Sequence, residues 1–283
     1  MTSFATLPDL ILEPLVRAAL TEDLGQYGDI TTRAVIPVRT RYAAKINARE
    51  NGVVSGMQIA AIAFRLVDPL LTVNIRRTDG SVCRKGDTLM EIEGSAASIL
   101  SAERVALNFA GRLSGISTLT RSFVNQTHGT NTRITCTRKT TPGLRVVEKQ
   151  AVLHGGGYNH RSGLSDAILI KDNHIAAAGG IAAALNAARQ VASHMVRVEI
   201  EVDTLDQLDE VLATAGADVV LLDNMDTASL RNAVERVDGK LVTEASGNMT
   251  LERIPEVAAT GVDYISSGAL THSAHTLDLG LDF

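Results

Sequence analysis

Cysteine and aromatic side chains are scarce in this sequence of 283 residues, which contains two cysteines, no tryptophan and 3% aromatic residues. The two cysteines, Cys83 and Cys136, are too few for the disulfide framework of a small secreted domain and favour a reducing compartment. The first nine residues lack the basic region and the apolar core of a signal peptide. We therefore predict a cytoplasmic protein.

Long hydrophobic runs and an excess of positive charge are also absent. The apolar stretch at residues 57–71 is interrupted by Arg65, Asp68 and Pro69, so it is too short and too charged to span a bilayer. The formal net charge of −5 argues against a general nucleic-acid binder. We predict no membrane and no nucleic-acid partner, and we expect any anionic ligand to be held by a local cluster of basic side chains.

The first 130 residues have a mixed α and β pattern. Helical spacing of apolar residues predicts a helix over residues 10–22 capped by Asp9, and a long helix over residues 98–125 interrupted by Gly111 and Gly115. Short strands are predicted at residues 42–48, 71–76 and 88–92. From about residue 132 the pattern changes to a strict alternation of strands and helices, which implies a parallel sheet with right-handed crossovers.

Six strands are predicted in this second part, at residues 133–137, 167–170, 196–202, 219–222, 240–243 and 264–265. Helices are predicted between them at residues 180–192, 205–215 and 228–237. Six strands are fewer than the eight of a complete barrel. The pattern is therefore consistent with an incomplete barrel and with an open doubly wound sheet.

Polar or charged groups accompany all six predicted strands, at the edge where active sites of parallel α/β folds lie. The early strands supply bases, the middle strands acids and the late strands serine–glycine pairs: Arg138, Lys139, His160, Arg161 and Lys171; then Glu201 and Asp223; then Ser246–Gly247–Asn248 and Ser267–Gly268. Arginine can bind a carboxylate through two hydrogen bonds, paired carboxylates suit Mg²⁺, and Ser-Gly loops suit a phosphate. Together they indicate a phosphorylated sugar, a metal ion and an acidic co-substrate.

Plainer interpretations exist for single residues. Lys171 and Asp172 are consistent with a salt bridge at a strand end, and Glu199 with a buried pairing partner. The glycines at 155–157 indicate a helix C-terminus rather than a P-loop. No histidine or cysteine spacing resembles a zinc site, and no nucleophile-elbow pattern is present. The dense bases of Thr137–Lys139 and His160–Arg161 are the exception, because bases gathered in an acidic protein need anions to neutralise them.

These motifs closely resemble those of the quinolinate phosphoribosyltransferase family. The resemblance rests on Thr-Arg-Lys-Thr-Thr-Pro-Gly-Leu-Arg at 137–145, Glu-Lys at 148–149, Gly-Gly-Gly-Tyr-Asn-His-Arg at 155–161, Leu-Ile-Lys-Asp-Asn-His at 169–174, Glu-Arg-Val-Ala-Leu-Asn at 103–108, Leu-Leu-Asp-Asn-Met at 221–225, Glu-Ala-Ser-Gly-Asn at 244–248 and Ser-Ser-Gly-Ala-Leu-Thr-His at 266–272. It covers essentially the whole chain. One departure is Cys136, where many members have aspartate, and its position on the strand indicates a non-catalytic residue.

The resemblance implies an α/β fold made of an N-terminal α/β open-faced sandwich and an irregular, incomplete (β/α) barrel with about six parallel strands. Residues 1–115, joined by the tail 270–283, would form the first domain, and residues 116–269 the barrel. It further implies a homodimer in which Arg104 completes the active site of the neighbouring subunit.

The implied reaction joins quinolinate to 5-phosphoribosyl 1-pyrophosphate and releases pyrophosphate and CO₂ to give nicotinate mononucleotide, a step of NAD biosynthesis. By the same resemblance, Arg104, Arg138, His160, Arg161 and Lys171 would hold the two quinolinate carboxylates, with Thr137 alongside them. Lys139, Glu201 and Asp223 would be catalytic, and Glu201 and Asp223 would hold Mg²⁺ directly or through water. The 5-phosphate would lie at Ser246, Gly247, Asn248, Ser267, Gly268 and Ala269.

Three alternatives stay open at this point. A relative of the same fold associated with molybdate transport genes acts on a different substrate, but the intact His-Arg and Thr-Arg-Lys motifs favour quinolinate. Nicotinate phosphoribosyltransferase takes a substrate with one carboxylate, for which this many bases would be excessive. A non-catalytic barrel that senses a phosphorylated metabolite is disfavoured by the presence of Lys139, Glu201 and Asp223.

Overall fold

The computed structural model describes residues 6–283. Residues 1–5 lie outside the described residues. They make up most of the N-terminal stretch in which we find no signal-peptide pattern. The helices are α1 (Asp9–Leu24), α2 (Ile30–Val35), α3 (Met57–Val67), α4 (Ala96–Gln126), α5 (Arg145–His154), α6 (Asp172–Ala178), α7 (Ile181–Val191), α8 (Leu205–Thr214), α9 (Thr227–Val237), α10 (Ile254–Ala258) and α11 (Ala269–His272).

The strands are β1 (Arg41–Ala48), β2 (Gly52–Val53), β3 (Thr72–Ile75), β4 (Val82–Cys83), β5 (Thr88–Ser95), β6 (Arg133–Thr135), β7 (Ile168–Ile170), β8 (Val198–Val202), β9 (Val219–Asp223), β10 (Val242–Ser246), β11 (Tyr264–Ser266) and β12 (Leu279–Asp282). They belong to two compact units. The N-terminal unit comprises the chain up to Arg121 with Thr140–Gly156 and Ser273–Phe283, and the barrel unit comprises Ser122–Lys139 and Gly157–His272.

The N-terminal unit is built on a four-stranded antiparallel sheet with the strand order β12-β1-β5-β3. Burial alternates along the second half of β1, where Ala44, Ile46 and Ala48 are buried. This period of two is expected of a strand with one face on a core. Helix α3 supplies a nearly continuous buried surface that includes Met57, Ile59 and Phe64.

Helix α1 differs from its prediction at the first residue. Asp9 is the first helical residue rather than the cap, which is Pro8 without a capping side-chain hydrogen bond. The Asp9 carboxylate instead accepts a hydrogen bond from the side chain of Gln58. Proline fits just before a helix because its missing N–H would have had no partner there. The prediction that Asp9 caps this helix is therefore wrong.

Helix α4 runs without a break from residue 96 to residue 126, so the predicted interruption at Gly111 and Gly115 is wrong. Both glycines instead allow the C-terminal tail to approach the helix. A Cβ atom at Gly115 would lie 1.8 Å from the carbonyl oxygen of His275. The Gly111 carbonyl accepts a hydrogen bond of 3.0 Å from the backbone N–H of Leu277. The two glycines therefore mark a packing contact rather than a helix end.

Residues 140–156 pack with the N-terminal unit although they follow the first barrel strand. Fully buried Glu148 on α5 accepts hydrogen bonds from Arg112 at 2.9 and 3.2 Å. It also accepts from the backbone N–H and the hydroxyl of Thr141. Helix α5 ends at His154 with Gly155 as its C-cap, as predicted. The two units are thus divided within α4, after Arg121, and on either side of the segment Thr140–Gly156 that contains α5. The single domain boundary at residues 115–116 stays a prediction.

The barrel unit contains six parallel strands in the order β6-β11-β10-β9-β8-β7. The order follows the sequence around a circle, and the two edge strands, β6 and β7, are the pair that would meet in a closed barrel. A doubly wound sheet would instead reverse its strand order in the middle. The prediction of an incomplete barrel with about six parallel strands is confirmed.

Hydrophobic side chains from these strands and helices form the core of the barrel unit, among them Ile200, Val220 and Leu222. The predicted helices at residues 180–192, 205–215 and 228–237 correspond to α7, α8 and α9. Within residues 6–283, no helix combines the length and the apolar character needed to cross a bilayer.

Candidate active site

The predicted site residues of the barrel unit, apart from His160 and Arg161, lie at or just after the carboxyl ends of its strands. The loop after β6 carries Thr137, Arg138 and Lys139, and the long loop before β7 carries His160 and Arg161. Lys171 follows β7, Glu201 lies near the end of β8, Asp223 ends β9, Ser246 ends β10 before Gly247 and Asn248, and Ser267, Gly268 and Ala269 follow β11. Because all six strands are parallel, these groups lie at one end of the sheet.

The basic side of the site centres on Arg138 and Arg161. The Arg161 guanidinium donates a hydrogen bond of 3.3 Å to the carbonyl of Ala167, while its Nε atom is buried without a hydrogen-bond partner. Burial and the neighbouring charge of Arg138 lower the pKa of Arg161 below its usual range. Two guanidinium groups held near each other in a partly buried place favour an anionic ligand that neutralises them.

Lys171 and Glu201 form an ion pair between β7 and β8, with 2.5 Å between Nζ and Oε2. The backbone N–H of Lys171 donates to the ring of His174, which fixes the loop at the start of α6. The Lys171 side chain remains about half exposed, whereas that of Glu201 is mostly buried. Lys171 is thus a partly exposed cation on a backbone fixed by His174, and Glu201 is its more buried partner.

Lys139 is fixed by the loop that follows β11. The Lys139 carbonyl accepts a hydrogen bond of 2.7 Å from the Thr271 hydroxyl, and its N–H donates to the side chain of Thr137. A Cβ atom at Gly268 would lie 2.8 Å from Cδ of Lys139. A side chain at position 268 would therefore displace the lysine stem. The sequence did not single out Thr271 as a functional residue.

The loops after β9 and β10 are joined to each other. The backbone N–H of Asn224 donates to the carbonyl of Ser246 at 3.0 Å, and its side-chain amide donates to Asp223 at 2.6 Å. A Cβ atom at Gly247 would lie 2.2 Å from Oδ1 of Asn224. Asn224, Gly247 and Asn248 all have positive φ angles, of 54°, 95° and 46°. Asparagine and glycine tolerate this conformation best, which explains their use here.

Arg253 braces both of these loops and was missed by the sequence analysis. Its guanidinium donates to the carbonyl of Gly247 at 3.0 Å and to the carbonyl of Met225 at 2.7 Å. One side chain therefore holds the loop with Asp223 and the loop with Ser246 in a fixed arrangement. No sequence signal could have identified it, because its partners are main-chain atoms 6 and 28 residues away.

His160 lies in a buried cluster with Glu199 and Glu244. Its Nε2 atom is 2.8 Å from Oε2 of Glu199 and 3.7 Å from Oε1 of Glu244, and its Nδ1 atom accepts a hydrogen bond of 2.8 Å from the backbone N–H of Arg161. Glu199 is therefore a buried partner of His160, as the plainer interpretation of this residue predicted. Both ring nitrogens of His160, which was expected to hold a substrate carboxylate, are engaged by protein groups.

Two further residues from the sequence analysis are Arg104 and Cys136. Arg104 belongs to the N-terminal unit, where its side chain is 64% exposed and lies 3.7 Å from Glu103. Cys136 is buried behind the loop that carries Arg138, and its thiol contacts the side chain of Asn159 at 3.2 Å. A thiol in this position contributes packing and a weak hydrogen bond.

The N-terminal unit has a cavity of about 920 Å³, and two of its titratable groups are engaged within the protein. Asp79 accepts a hydrogen bond from the backbone N–H of Met57 at the start of α3. His154 pairs with the hydroxyl of Ser55 and with Gln150. The barrel unit, in contrast, places bases, carboxylates and two serine–glycine loops at the ends of its parallel strands and is the better candidate for catalysis.

Comparison with known proteins agrees with this geometry. Residues 29–114 match the family model described as quinolinate phosphoribosyl transferase, N-terminal domain, and residues 116–282 match the model of its C-terminal domain. The chain belongs to the quinolinate phosphoribosyltransferase family. The family prediction made from the sequence motifs is thereby confirmed.

Relatives in this family span nearly the whole chain. A probable nicotinate-nucleotide pyrophosphorylase (carboxylating) of Bacillus subtilis is 45% identical over 96% of this chain and 93% of its own length. A quinolinate phosphoribosyltransferase (decarboxylating) of Nicotiana tabacum is 43% identical over 97% of this chain and 83% of its own length. The solved nicotinate-nucleotide pyrophosphorylase of Francisella tularensis superposes with a TM-score of 0.94 at 38% identity, covering 100% of this chain and 99% of that one.

Proposed function

We propose that this chain transfers the phosphoribosyl group of 5-phosphoribosyl 1-pyrophosphate to quinolinate, with loss of CO₂ and pyrophosphate, and so forms nicotinate mononucleotide for NAD synthesis. Family membership supports the reaction. The observation that carries the choice of substrate is the pair Arg138 and Arg161, whose mutual repulsion and partial burial call for a ligand with more than one negative charge. Quinolinate carries two adjacent carboxylates.

The basic side of the site would bind quinolinate. Arg138, Arg161 and Lys171 supply the cations, Thr137 lies in the same loop, and His160 holds the backbone of Arg161. Guanidinium groups bind carboxylates through two parallel hydrogen bonds, so two arginines and a lysine suit a dicarboxylate better than a monocarboxylate. Lys171 would have to leave Glu201 to reach the substrate, and its half-exposed side chain allows that movement.

The opposite side of the site would bind the phosphoribosyl donor. The backbone N–H groups of Gly247 and Asn248 suit the 5-phosphate, because both residues have positive φ angles and such loops expose amides to an anion. Ser246, and the loop of Ser267, Gly268 and Ala269, are assigned to the same phosphate by the family resemblance. Ser267 is a partial exception, since its N–H already donates to the carbonyl of Thr135. The hydroxyl of Ser246 and the neighbouring amides remain as candidates for the phosphate oxygens.

Glu201 and Asp223 fit a magnesium site. They lie near the ends of the adjacent strands β8 and β9, and both provide the hard oxygen atoms that Mg²⁺ prefers. The cluster of His160, Glu199 and Glu244 also has three potential ligand atoms within 4.8 Å of one another. It does not fit a metal, because a neutral imidazole whose Nδ1 accepts a hydrogen bond carries its proton on Nε2. When bound, Mg²⁺ would offset the negative charge of the departing pyrophosphate.

The residues of the chain would act mainly through placement of charge. Lys139, held by Thr271 and Gly268, would stabilise negative charge on the leaving pyrophosphate. Glu201 and Asp223 would stabilise positive charge that develops on the ribose at the anomeric carbon. Once the pyridine nitrogen carries the ribose, its positive charge can stabilise the electron pair that remains on the neighbouring carbon as CO₂ departs. That carbon then takes up a proton from solvent. The arginines then need only to hold that carboxylate in place until the bond breaks.

The test is turnover with defined substrates. The purified chain is incubated with 5-phosphoribosyl 1-pyrophosphate, Mg²⁺ and either quinolinate or nicotinate, while CO₂ and pyrophosphate are followed. We expect equal amounts of both products with quinolinate and negligible pyrophosphate with nicotinate. Turnover with nicotinate alone, or with neither substrate, would refute the proposal. The metal requirement is tested in the same assay by omitting Mg²⁺ and then titrating it back.

We further propose a homodimer in which Arg104 of one subunit completes the active site of the other. Arg104 is exposed in the N-terminal unit, and its nearest acidic partner is its sequence neighbour Glu103. A mixture of an Arg104→Ala chain and a Lys139→Ala chain, each inactive alone, should recover part of the activity after subunit exchange. Absence of recovery in a mixture that forms dimers would count against a shared site.

The cytoplasmic location stays a proposal as well. It is supported by Cys83 and Cys136, which are both buried and form no disulfide with each other. Fractionation of cells that express the tagged chain, with a cytoplasmic and a membrane marker, is the measurement that tests it.

A further inference from the structure

The loop after β10 contains two backbone N–H groups that are available to an anion. They belong to Gly247 and Asn248, whose φ angles of 95° and 46° are both positive. Neither N–H donates to another group among residues 6–283. Successive N–H groups in a turn of this kind converge on one side of the chain and form an anion-binding concavity. The direction of these two N–H groups therefore decides how well the loop binds a phosphate.

Both N–H groups are fixed through the carbonyl group at the other end of the same peptide unit. A peptide unit is planar and trans, so its N–H and its C=O point in opposite directions. The carbonyl of Ser246 accepts a hydrogen bond of 3.0 Å from the backbone N–H of Asn224, which directs the N–H of Gly247 away from the β9 loop. The carbonyl of Gly247 accepts a hydrogen bond of 3.0 Å from Arg253, which directs the N–H of Asn248 away from the guanidinium group. Asn224 thus sets the direction of one N–H and Arg253 that of the other.

The Arg253 side chain is itself held in place. Its guanidinium also donates to the carbonyl of Met225 at 2.7 Å, and its backbone N–H donates to the carbonyl of Thr250 at 3.1 Å. The hydrogen bonds from Ser229 lower the pKa of Asp226, and the charge of Arg253 acts in the same direction, so this carboxylate lies near the guanidinium group. Because Asp226 offsets part of the positive charge, Arg253 acts on the loop chiefly through its hydrogen bonds.

Arginine suits this task better than lysine. A guanidinium group is planar and presents its N–H donors in a fixed fork, whereas an ammonium group is a point donor on a flexible stem. Here Nη1 donates to the carbonyl of Gly247 and Nη2 to that of Met225, so the fork spans the loops after β9 and β10. A charged donor also polarises the peptide unit and strengthens the N–H at its other end as a donor. The N–H of Asn248 is therefore both directed and strengthened by a side chain on the opposite side of its peptide unit.

We propose that Arg253 is a positioning residue for the phosphoribosyl donor, which holds the carbonyls of Gly247 and Met225 and thereby directs the N–H of Asn248 at the 5-phosphate. The assignment of the phosphate to this loop rests on the proposed function. The hydrogen bond between Arg253 and Gly247 does not, and it is measurable on the protein without substrate.

The first test observes the peptide unit between Gly247 and Asn248 directly. The dipeptide Gly-Asn occurs once in the sequence, so labelling with carbonyl-¹³C glycine and ¹⁵N asparagine gives a single signal in a carbonyl–amide correlation spectrum. In Arg253→Met the carbonyl resonance should move upfield, because the carbonyl loses its hydrogen bond. A carbonyl resonance that is the same in wild type and in Arg253→Met would overturn the proposal.

The same signal reports on phosphate binding. Addition of ribose 5-phosphate to the wild-type chain should shift the Asn248 amide signal in a saturable way. Arg253→Met should weaken this binding about tenfold or more, as for the loss of a hydrogen bond from a charged group. Absence of a shift in the wild-type chain, or equal affinities of the two chains for ribose 5-phosphate, would overturn the positioning role.

The second test is kinetic and compares the two substrates. Arg253→Met should raise the KM for 5-phosphoribosyl 1-pyrophosphate about tenfold or more, whereas the KM for quinolinate should be unchanged, because Arg138 and Arg161 lie on other loops. Arg253→Lys can hold one carbonyl instead of two, so its KM for the donor should lie between those of wild type and Arg253→Met. It also carries the test if Arg253→Met does not fold. An equal rise of both KM values, or an unchanged KM for the donor, would overturn the proposal.

Arg189→Met is the matched control. The Arg189 guanidinium also donates to a loop carbonyl, that of Gly216, and it pairs with Asp218 at 3.0 Å. These contacts precede β9 and so lie at the end of the barrel strands opposite to the predicted site. We expect Arg189→Met to leave both KM values and the Asn248 signal unchanged. A rise of the KM for the donor as large as that in Arg253→Met would indicate a general loss of barrel packing and would also overturn the positioning role.

These measurements separate the positioning role from the proposed function. If the chain does not turn over quinolinate but its binding of ribose 5-phosphate depends on Arg253, the proposed function fails and the positioning role stands. If turnover is normal and Arg253→Met has the donor KM of the wild type, only the positioning role fails.

Discussion

Replacement of Gly115 by alanine tests whether packing outweighs helix propensity in the N-terminal unit. In an isolated helix this change would stabilise α4 by about 1 kcal/mol. Here the new Cβ atom would lie 1.8 Å from the carbonyl oxygen of His275, which is far inside van der Waals contact. Because the clash involves backbone on both sides, no side-chain rotation can relieve it, and the tail must move away from the helix.

The size of the effect follows from what that movement breaks. The tail is held by the hydrogen bond from Leu277 to Gly111, and the side chain of Leu277 is 4% exposed. Loss of the hydrogen bond costs about 1 kcal/mol, and exposure of most of a leucine side chain costs about 2 to 3 kcal/mol. After the gain in helix propensity is subtracted, we expect a net loss of about 2 to 3 kcal/mol.

The assay is equilibrium unfolding in urea together with thermal unfolding, where a loss of this size corresponds to a decrease of Tm by about 4 to 9 °C. Gly111→Ala is the matched comparison, because its Cβ atom would lie 2.9 Å from the Leu277 oxygen and 2.9 Å from a Thr276 methyl group that can rotate. It should be less damaging than Gly115→Ala. A Gly115→Ala chain as stable as wild type would refute the reasoning.

Three other changes should give equally definite results. Lys139→Ala should leave the circular dichroism spectrum and Tm near wild type but lower kcat by about two to three orders of magnitude, as for removal of one preorganised charge; near-full turnover would contradict its catalytic role. Glu148→Ala should destabilise the chain by about 3 to 5 kcal/mol in urea, because it removes the buried carboxylate that pairs with the Arg112 guanidinium and accepts hydrogen bonds from Thr141, whereas Glu148→Gln should cost less. Burial lowers the pKa of His154 to about 4 from its usual 6.5. The neutral ring therefore makes its full contribution to the free energy of unfolding above pH 6.5, and this contribution is lost as the pH falls toward 4. His154→Gln should therefore flatten the stability curve between these values by up to ~3 kcal/mol, and an unchanged acid slope would contradict this account.

Sequence patterns predicted the barrel because its signals are local. Alternation of strands and helices is visible in any window of the chain, and parallel strands bring their ends together whatever the loops contain. The residues of the basic and acidic groups could therefore be assigned to one edge before any contact was known. The fifth strand was predicted too early, at residues 240–243 instead of Val242–Ser246. Its inward-facing Glu244 and Ser246 are polar, and polar residues at that position were interpreted as a loop.

The features that the sequence did not disclose depend on partners distant along the chain. Gly111 and Gly115 were interpreted as helix breaks because their neighbour, the tail, is more than 150 residues away. Arg253 acts on main-chain carbonyls, which leave no trace in the sequence. The proton of His160 is fixed by a backbone N–H and a carboxylate from another strand, so its tautomer required coordinates.

The position of β12 has a consequence for how the chain is made. Residues 279–282 form an edge of the first sheet, and the side chain of Asn47 donates to Asp282, which is 235 residues further along. During synthesis β1 and its other neighbour β5 therefore emerge long before β12 exists. The barrel strands, which pair with neighbours in sequence order apart from β6 and β11, can form first. We expect the N-terminal unit to mature last and to be the part most sensitive to extensions or truncations at the opposite end of the chain.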